Sequence, residues 1–256
     1  MTSEPQWIEI DGTRLEIGRW GEPNGKRLPI LLLHEGLGSV RLWKQFPERL
    51  AAASGRQVIA WSRRGHGWSE GIEIAHRPDY MHGEAHHLPA LHAALGLGRA
   101  HWLGHSDGGS IALIGAASDP RLAASLILEA PHVFVEPITV AAIGRIAADF
   151  PGSNMADRMR RYHAEPVPVF ERWRDIWLDP AFLDWNIEAL LPAIRAPALL
   201  IQGHDDQYGT MAQLDRIDAV IAETTRLELD RCGHSPHFDR EDAVVDAICG
   251  FLDGRD

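Results

Sequence analysis

Cysteine is scarce in this chain. Cys232 and Cys249 are the two present in 256 residues, too few for a disulfide framework, and they point to a reducing compartment. Long apolar runs are missing too, and no stretch approaches the length of a membrane span. The start, Met1-Thr2-Ser3-Glu4-Pro5-Gln6-Trp7, has neither a basic nor an apolar leader region, so no signal peptide is expected and the reading is a cytoplasmic protein. Basic charge is outweighed: 25 Lys and Arg against 36 Asp and Glu leave a formal net charge of −11. That argues against a nucleic-acid surface, which needs a basic patch for the phosphates. Internal repeats and low-complexity segments are also absent. What remains is 45% hydrophobic, enough to bury one large core in an α/β domain that carries an insertion.

Strand and helix patterns alternate along the chain. Gln6 to Ile10 and Arg14 to Arg19 flank Asp11-Gly12, a hairpin signal. Pro29 to Leu33 is a continuous apolar run suited to a strand buried on both faces. It leads into the Gly-rich loop His34-Glu35-Gly36-Leu37-Gly38-Ser39 and a helix expected over Val40 to Ala53. Gln57 to Trp61 is the next strand, followed by the loop from Ser62 to Ser69 and a helix from Met81 to Leu95. His101 to Leu103, Ser125 to Glu129, Ala198 to Gln202 and Thr225 to Leu229 complete the strands, and a helix from Arg240 to Leu252 closes the chain. This alternation predicts a largely parallel sheet with helices on both faces. It breaks between Val133 and Pro192, where Pro151, Pro166, Pro168 and Pro180 cut a strandless stretch into short helices.

The densest chemical signal is Trp102 to Ser110, WLGHSDGGS. Gly104-His105-Ser106-Asp107-Gly108 is a G-x-S-x-G pattern between a strand and a helix. A strand that turns sharply into a helix at a serine strains that serine's backbone and needs small residues two positions to either side. Gly104 and Gly108 meet the demand, and Gly109 adds room for packing. The hydroxyl is then exposed above the sheet near the positive end of a helix. A serine needs a base, and the base needs an orienting partner. In parallel sheets such groups gather at the carboxyl ends of strands. The later strands end in Gly203-His204-Asp205-Asp206 and in Gly233-His234-Ser235-Pro236-His237, so the order is Ser106, then Asp205 or Asp206, then His234.

On these motifs the chain resembles the α/β-hydrolase fold family over essentially its whole length. The resemblance implies an eight-stranded, mostly parallel sheet, a core of residues 1–132 and 193–256, and a helical cap of residues 133–192. The family's acid, three residues after the glycine, selects Asp206 over Asp205, and its G-H-x-P loop makes His234 the base. His34-Glu35-Gly36 matches the family's H-G-x loop, which implies an oxyanion hole from the Gly36 and Asp107 amides. Arg64-Gly65-His66-Gly67-Trp68-Ser69 resembles the R-G-x-G-x-S stretch that shapes the fold. Three positions depart from the pattern: Glu35 stands in place of glycine, Asp107 in place of Met, Gln or Leu, and Ser62 in place of aspartate. Glu35 and Asp107 bring negative charge beside the site, disfavouring anionic substrates, unless they turn away onto backbone groups.

Other candidates carry plainer readings. His34 holds the oxyanion loop, and His237 packs or supports the site from behind. His82 and His86 share a helix face at i, i+4, but without a third ligand they read, with Glu84 and His87, as solvated surface, and no metal or cofactor is expected. Cys232 reads as a small buried filler. Trp173, Trp177 and Trp185, near Phe170 and Phe182, are cap core of which one or two face the substrate, implying an apolar or aromatic substrate part. Arg145, Arg158, Arg160, Arg161, Arg172 and Arg174 read as a solvated face, with a substrate carboxylate or phosphate as the alternative ligand. The leading expectation is a serine hydrolase of a small carboxylic ester. A carbon–carbon bond hydrolase, thioesterase or lactonase would use the same residues, and Glu35 and Asp107 prompt a proline-type aminopeptidase as a further option. A ligand-binding protein that has lost catalysis is the alternative of another class. A homodimer is compatible with all of these.

Overall fold

The computed structural model describes residues 6–23, 25–71 and 77–256; the first five residues, part of the stretch in which no leader was read, lie outside them. Eight strands form one sheet: β1 (Gln6–Ile10), β2 (Thr13–Trp20), β3 (Ile30–Leu33), β4 (Val58–Trp61), β5 (Ala100–His105), β6 (Ala123–Glu129), β7 (Ala198–Gly203) and β8 (Thr224–Leu229). Their spatial order is β1-β2-β4-β3-β5-β6-β7-β8. The β1–β2 and β2–β4 pairs are antiparallel, and every later pair is parallel. Asp11 and Gly12 both take positive φ, the demand of a type I′ hairpin turn, which an Asp-Gly pair meets at little cost.

Both faces of the sheet are buried, and the strands show why they carry unbroken apolar runs. Leu31, Leu33 and Trp102 pack on one face with the helices Leu88–Leu95 and Asp107–Ser118. Ile30, Leu32 and Leu103 pack on the other with the helices Phe46–Ser54 and Glu241–Leu252. Adjacent residues of one strand thus serve opposite cores, the two-residue period of extended chain.

Two expected helices are each divided. The stretch 40–53 is a 3-10 turn, Val40–Trp43, then a break at Lys44 with positive φ, then a helix Phe46–Ser54 whose second residue is Pro47. The stretch 81–95 is two helices, Tyr80–His86 and Leu88–Leu95, with Pro89 at the start of the second. Proline fits a first helical turn but has no N–H for the preceding one, so the ladder restarts there. Between β6 and β7 the helices Pro137–Asp149, Met155–Met159 and Pro166–Trp177 alternate with 3-10 turns. Among the described residues no strand occurs in this stretch, as expected; its one isolated bridge joins Phe134 and Asn186.

Candidate active site

Ser106 lies between the end of β5 and the helix Asp107–Ser118, with φ 53° and ψ −119°, a strained conformation for a non-glycine residue. The crossing is so tight that a Cβ on Gly104 would collide with the Gly108 carbonyl, and one on Gly108 with the Leu33 carbonyl. The backbone therefore has no room for larger residues at either position. His234, on the loop after β8, places Nε2 2.9 Å from Ser106 Oγ. Its Nδ1 is 2.9 Å from each carboxylate oxygen of Asp206. Asp206 also accepts the amide hydrogens of Tyr208 and Gly209 at 2.8 and 3.3 Å. Burial pushes its carboxyl up, but His234 and the Tyr208 amide outweigh burial and hold it below the usual carboxylate range. Asp205 is exposed and spends its amide on the Cys232 carbonyl. Of the two candidate acids, the structure brings Asp206 to the histidine.

Asp107 opens its helix, so its N–H has no intrahelical partner. Gly36 lies on the facing loop, and that loop is held from below by Arg63. The buried Arg63 guanidinium donates to the His34 and Glu35 carbonyls at 2.9 and 3.1 Å. His34 joins the same network: the Arg63 amide donates to Nε2 at 3.0 Å, and Nδ1–H donates to the Glu35 carbonyl at 2.7 Å. Burial, then the charge of Arg63, hold the His34 imidazole neutral, well below its ordinary pKa, consistent with that donor–acceptor pattern. The expected role of His34 in bracing the loop matches these bonds.

Ser106, His234, Gly36, Glu35, Asp107, Trp173, Trp177, His132 and Tyr208 line one cavity of about 190 Å³. Trp173 lies against Gly36, and Trp177 meets the His132 ring edge-on at 5.1 Å. Trp185, expected at the pocket, is instead buried and stacked on Phe182 at 5.4 Å, its place in the core fixed by that ring pair. Glu84 is likewise corrected: it is buried, not solvated. It lines a neighbouring chamber of about 310 Å³ that shares Gly36, Asp107 and Trp173 with the first and also holds Arg63, Arg64 and Arg172. Arg145, Arg158, Arg160 and Arg161 are exposed, the solvated reading of the sequence.

Ser62 departs from the expected aspartate, and a carboxylate reaches the spot from another strand. Ser62 Oγ donates to Glu16 Oε2 at 2.9 Å, and the Trp68 amide donates to the same oxygen at 3.0 Å. His237 and Cys232 are both buried, His237 with Nδ1 2.7 Å from the buried Glu129 carboxylate. Burial pushes the Cys232 thiol up to about 12. His82 and His86 are exposed, and no metal-ligating cluster occurs among the described residues. Sequence reasoning missed Arg63, Tyr80, His132, Tyr208 and Glu129. Only Arg63 had a signal, its place beside the R-G-x-G-x-S stretch.

This strand order, with Ser106, Asp206 and His234 all on loops at the carboxyl ends of parallel strands, defines the α/β-hydrolase class of fold. The alpha/beta hydrolase family model matches residues 30–247, and the chain belongs to that family. It is 27% identical to N-formylmaleamate deformylase of Pseudomonas putida, over 96% of this chain and 95% of the relative. It is 21% identical to 2-hydroxy-6-oxo-6-phenylhexa-2,4-dienoate hydrolase of Burkholderia cepacia, over 89% of this chain and 88% of that enzyme. The solved proline iminopeptidase of Mycobacterium smegmatis superposes with a TM-score of 0.77 at 19% identity, over 98% of both chains. Among the described residues no helix is long and apolar enough to cross a membrane.

Proposed function

We propose that the chain is a serine hydrolase that cleaves a small carboxylic ester through an acyl-enzyme. The observation that carries this reading is the unbroken line Ser106–His234–Asp206, with both joining distances at 2.9 Å. Ser106 Oγ attacks the carbonyl carbon as His234 Nε2 takes its proton. Asp206 keeps the proton on Nδ1 and stabilises the imidazolium. The Gly36 and Asp107 amides receive the developing oxyanion, each such donor being worth roughly 3–4 kcal/mol. The imidazolium returns the proton to the leaving alcohol, and water then repeats the cycle on the acyl group. Residues 133–192 act as a cap whose Trp173 and Trp177 supply an apolar wall, which favours a substrate with an apolar or aromatic part.

A second reading keeps the triad and changes the bond. The relatives are named for a deformylase and for a dienoate hydrolase, which favours amide or carbon–carbon cleavage as the alternative. Covalent labelling with a fluorophosphonate tests the shared nucleophile: wild type is expected to label and Ser106→Ala to stay unlabelled while folded. A panel of ester, thioester, lactone, amide and vinylogous diketone substrates then ranks the bonds. Equal labelling of both proteins would remove Ser106 from the chemistry, and no labelling of either would favour a ligand-binding protein.

A further inference from the structure

The active-site cavity has an unusual charge lining. Glu35 and Asp107 face it, and among the described residues neither arginine nor lysine does. Glu35 accepts the Leu37 amide hydrogen on one oxygen, and no cationic side chain among the described residues pairs with it. Asp107 is 1% exposed. Tyr80 donates to its Oδ2 at 2.5 Å, while Oδ1 has no hydrogen-bond partner. Burial pushes the Asp107 carboxyl up against the opposing pull of Arg63 and Tyr80, and the Trp177 indole N–H nearby closes no hydrogen bond. Arg63 is the nearby cation, 4.0 Å from Asp107 Oδ2, and its guanidinium is committed to the two loop carbonyls. The two carboxylates therefore share Arg63, already engaged, and the nearby His234 of the triad.

These carboxylates belong to the residue beside Gly36 and to Asp107 itself. In the proposed reaction, negative charge grows on a carbonyl oxygen between the Gly36 and Asp107 amides. Negative charge on either carboxylate would oppose the step, more strongly in a dry cavity than in water. A positive group on the bound substrate would reverse the sign of that interaction. Trp173, Trp177 and Tyr208 complete the lining, and aromatic walls with a carboxylate form the ordinary surroundings of a bound ammonium. The arginines suited to a carboxylate lie in the next chamber, where the Arg172 guanidinium donates to the Gly65 carbonyl at 3.0 Å.

We propose that the substrate carries a protonated amine or quaternary ammonium close to its scissile bond, received by the Glu35 carboxylate with Asp107 behind it. The proposal deepens the serine-hydrolase reading and rests on it for the identity of the site. Burial, reinforced by the charge of Asp107, pushes the Glu35 carboxyl up, and a cation beside it would act in the opposite sense.

Binding is measured first in Ser106→Ala, where turnover cannot intervene. A protonated phenylalkylamine and the phenylalkanol of equal length are titrated by calorimetry. The amine is expected to bind about tenfold tighter or better, and Glu35→Gln in the same background is expected to remove most of that difference. Equal affinities, or a preference untouched by Glu35→Gln, would overturn the proposal. Matched esters with an ammonium on the acyl side, on the alcohol side or on neither then locate the cation in wild type. A higher kcat/KM for one charged ester supports the proposal and assigns the side, whereas a lead for the neutral ester rejects it. Failure of fluorophosphonate labelling would strike the hydrolase reading alone, because the binding comparison does not depend on turnover.

Discussion

Asp205 and Asp206 are neighbours in the chain with opposite fates in the fold. One is exposed, while the other is 7% exposed and holds both His234 Nδ1 and two backbone amides. Asp206→Asn keeps the shape but reverses the hydrogen-bond sense toward the imidazole, favouring the wrong tautomer. It is expected to lower kcat by about 10⁴-fold, and Asp205→Asn to change it less than about twofold. Steady-state kinetics of the two variants on one activated ester checks both, and comparable losses would mean that the acid has been misassigned. The choice between them was open in the residues, and only the resemblance to the family, whose acid stands three residues after the glycine, pointed to Asp206; Gly203 marks the strand end. A Cβ there would strike the Cys232 carbonyl. Trp185 was not legible in the same way. Its nearness in the chain to Trp173 and Trp177 put it among candidate wall residues, but whether an aromatic faces a cavity or its neighbour Phe182 depends on tertiary packing that no local signal reports.

At the scale of elements, the site is assembled by loops that other parts of the chain hold in place. The loop that carries Gly36, the proposed oxyanion loop, hangs from Arg63, whose forked guanidinium takes two successive carbonyls. A lysine in its place can reach one of them but not span both. Arg63→Lys is expected to lower kcat by roughly 10–100-fold, short of the loss of a whole oxyanion donor. KM should stay within about threefold, because a tilted loop harms the oxyanion more than the bound ester. A rise in KM with unchanged kcat would make Arg63 a contributor to binding instead. The strand ends that carry Ser106, Asp206 and His234 were legible because apolar runs and small-residue turns are local signals. Arg63's partners and Tyr80's bond to Asp107 were not, since they join residues 28 and 27 positions apart through tertiary packing. The divided helices show a related gap. The apolar period continues across Pro47 and Pro89, while the hydrogen-bond ladder does not.

Across the whole molecule, the acidic balance is joined by a set of buried, neutral histidines, and this couples stability to pH. Burial first, then the Arg56 charge, lowers His101 from 6.5 to about 4. His101 pairs with Ser125 Oγ at 2.8 Å between β5 and β6. Burial lowers His163 to about 4 as well, where Nδ1 accepts the Gly67 amide hydrogen at 3.0 Å and Nε2–H donates to the Leu37 carbonyl at 2.8 Å. His163 thereby ties the segment between β6 and β7 to the loops beneath it. Each depressed imidazole excludes a proton that the unfolded chain accepts. Between pH 6.5 and about 4 the unfolded state therefore binds more protons, and stability falls as the pH falls. Buried carboxyls such as Glu84 and Asp107, pushed up chiefly by burial, act in the opposite sense, because the native state takes their protons first. The slope for the wild type alone mixes the two contributions. Comparison with His101→Asn isolates one histidine. Urea unfolding at pH 7.5 and pH 5.0 should show the stability advantage of wild type over the variant narrowing by about 2 kcal/mol at the lower pH. An advantage that stays constant would mean that His101 takes up its proton as readily in the native state as in the unfolded chain, and the acid sensitivity would then have to come from the other buried histidines.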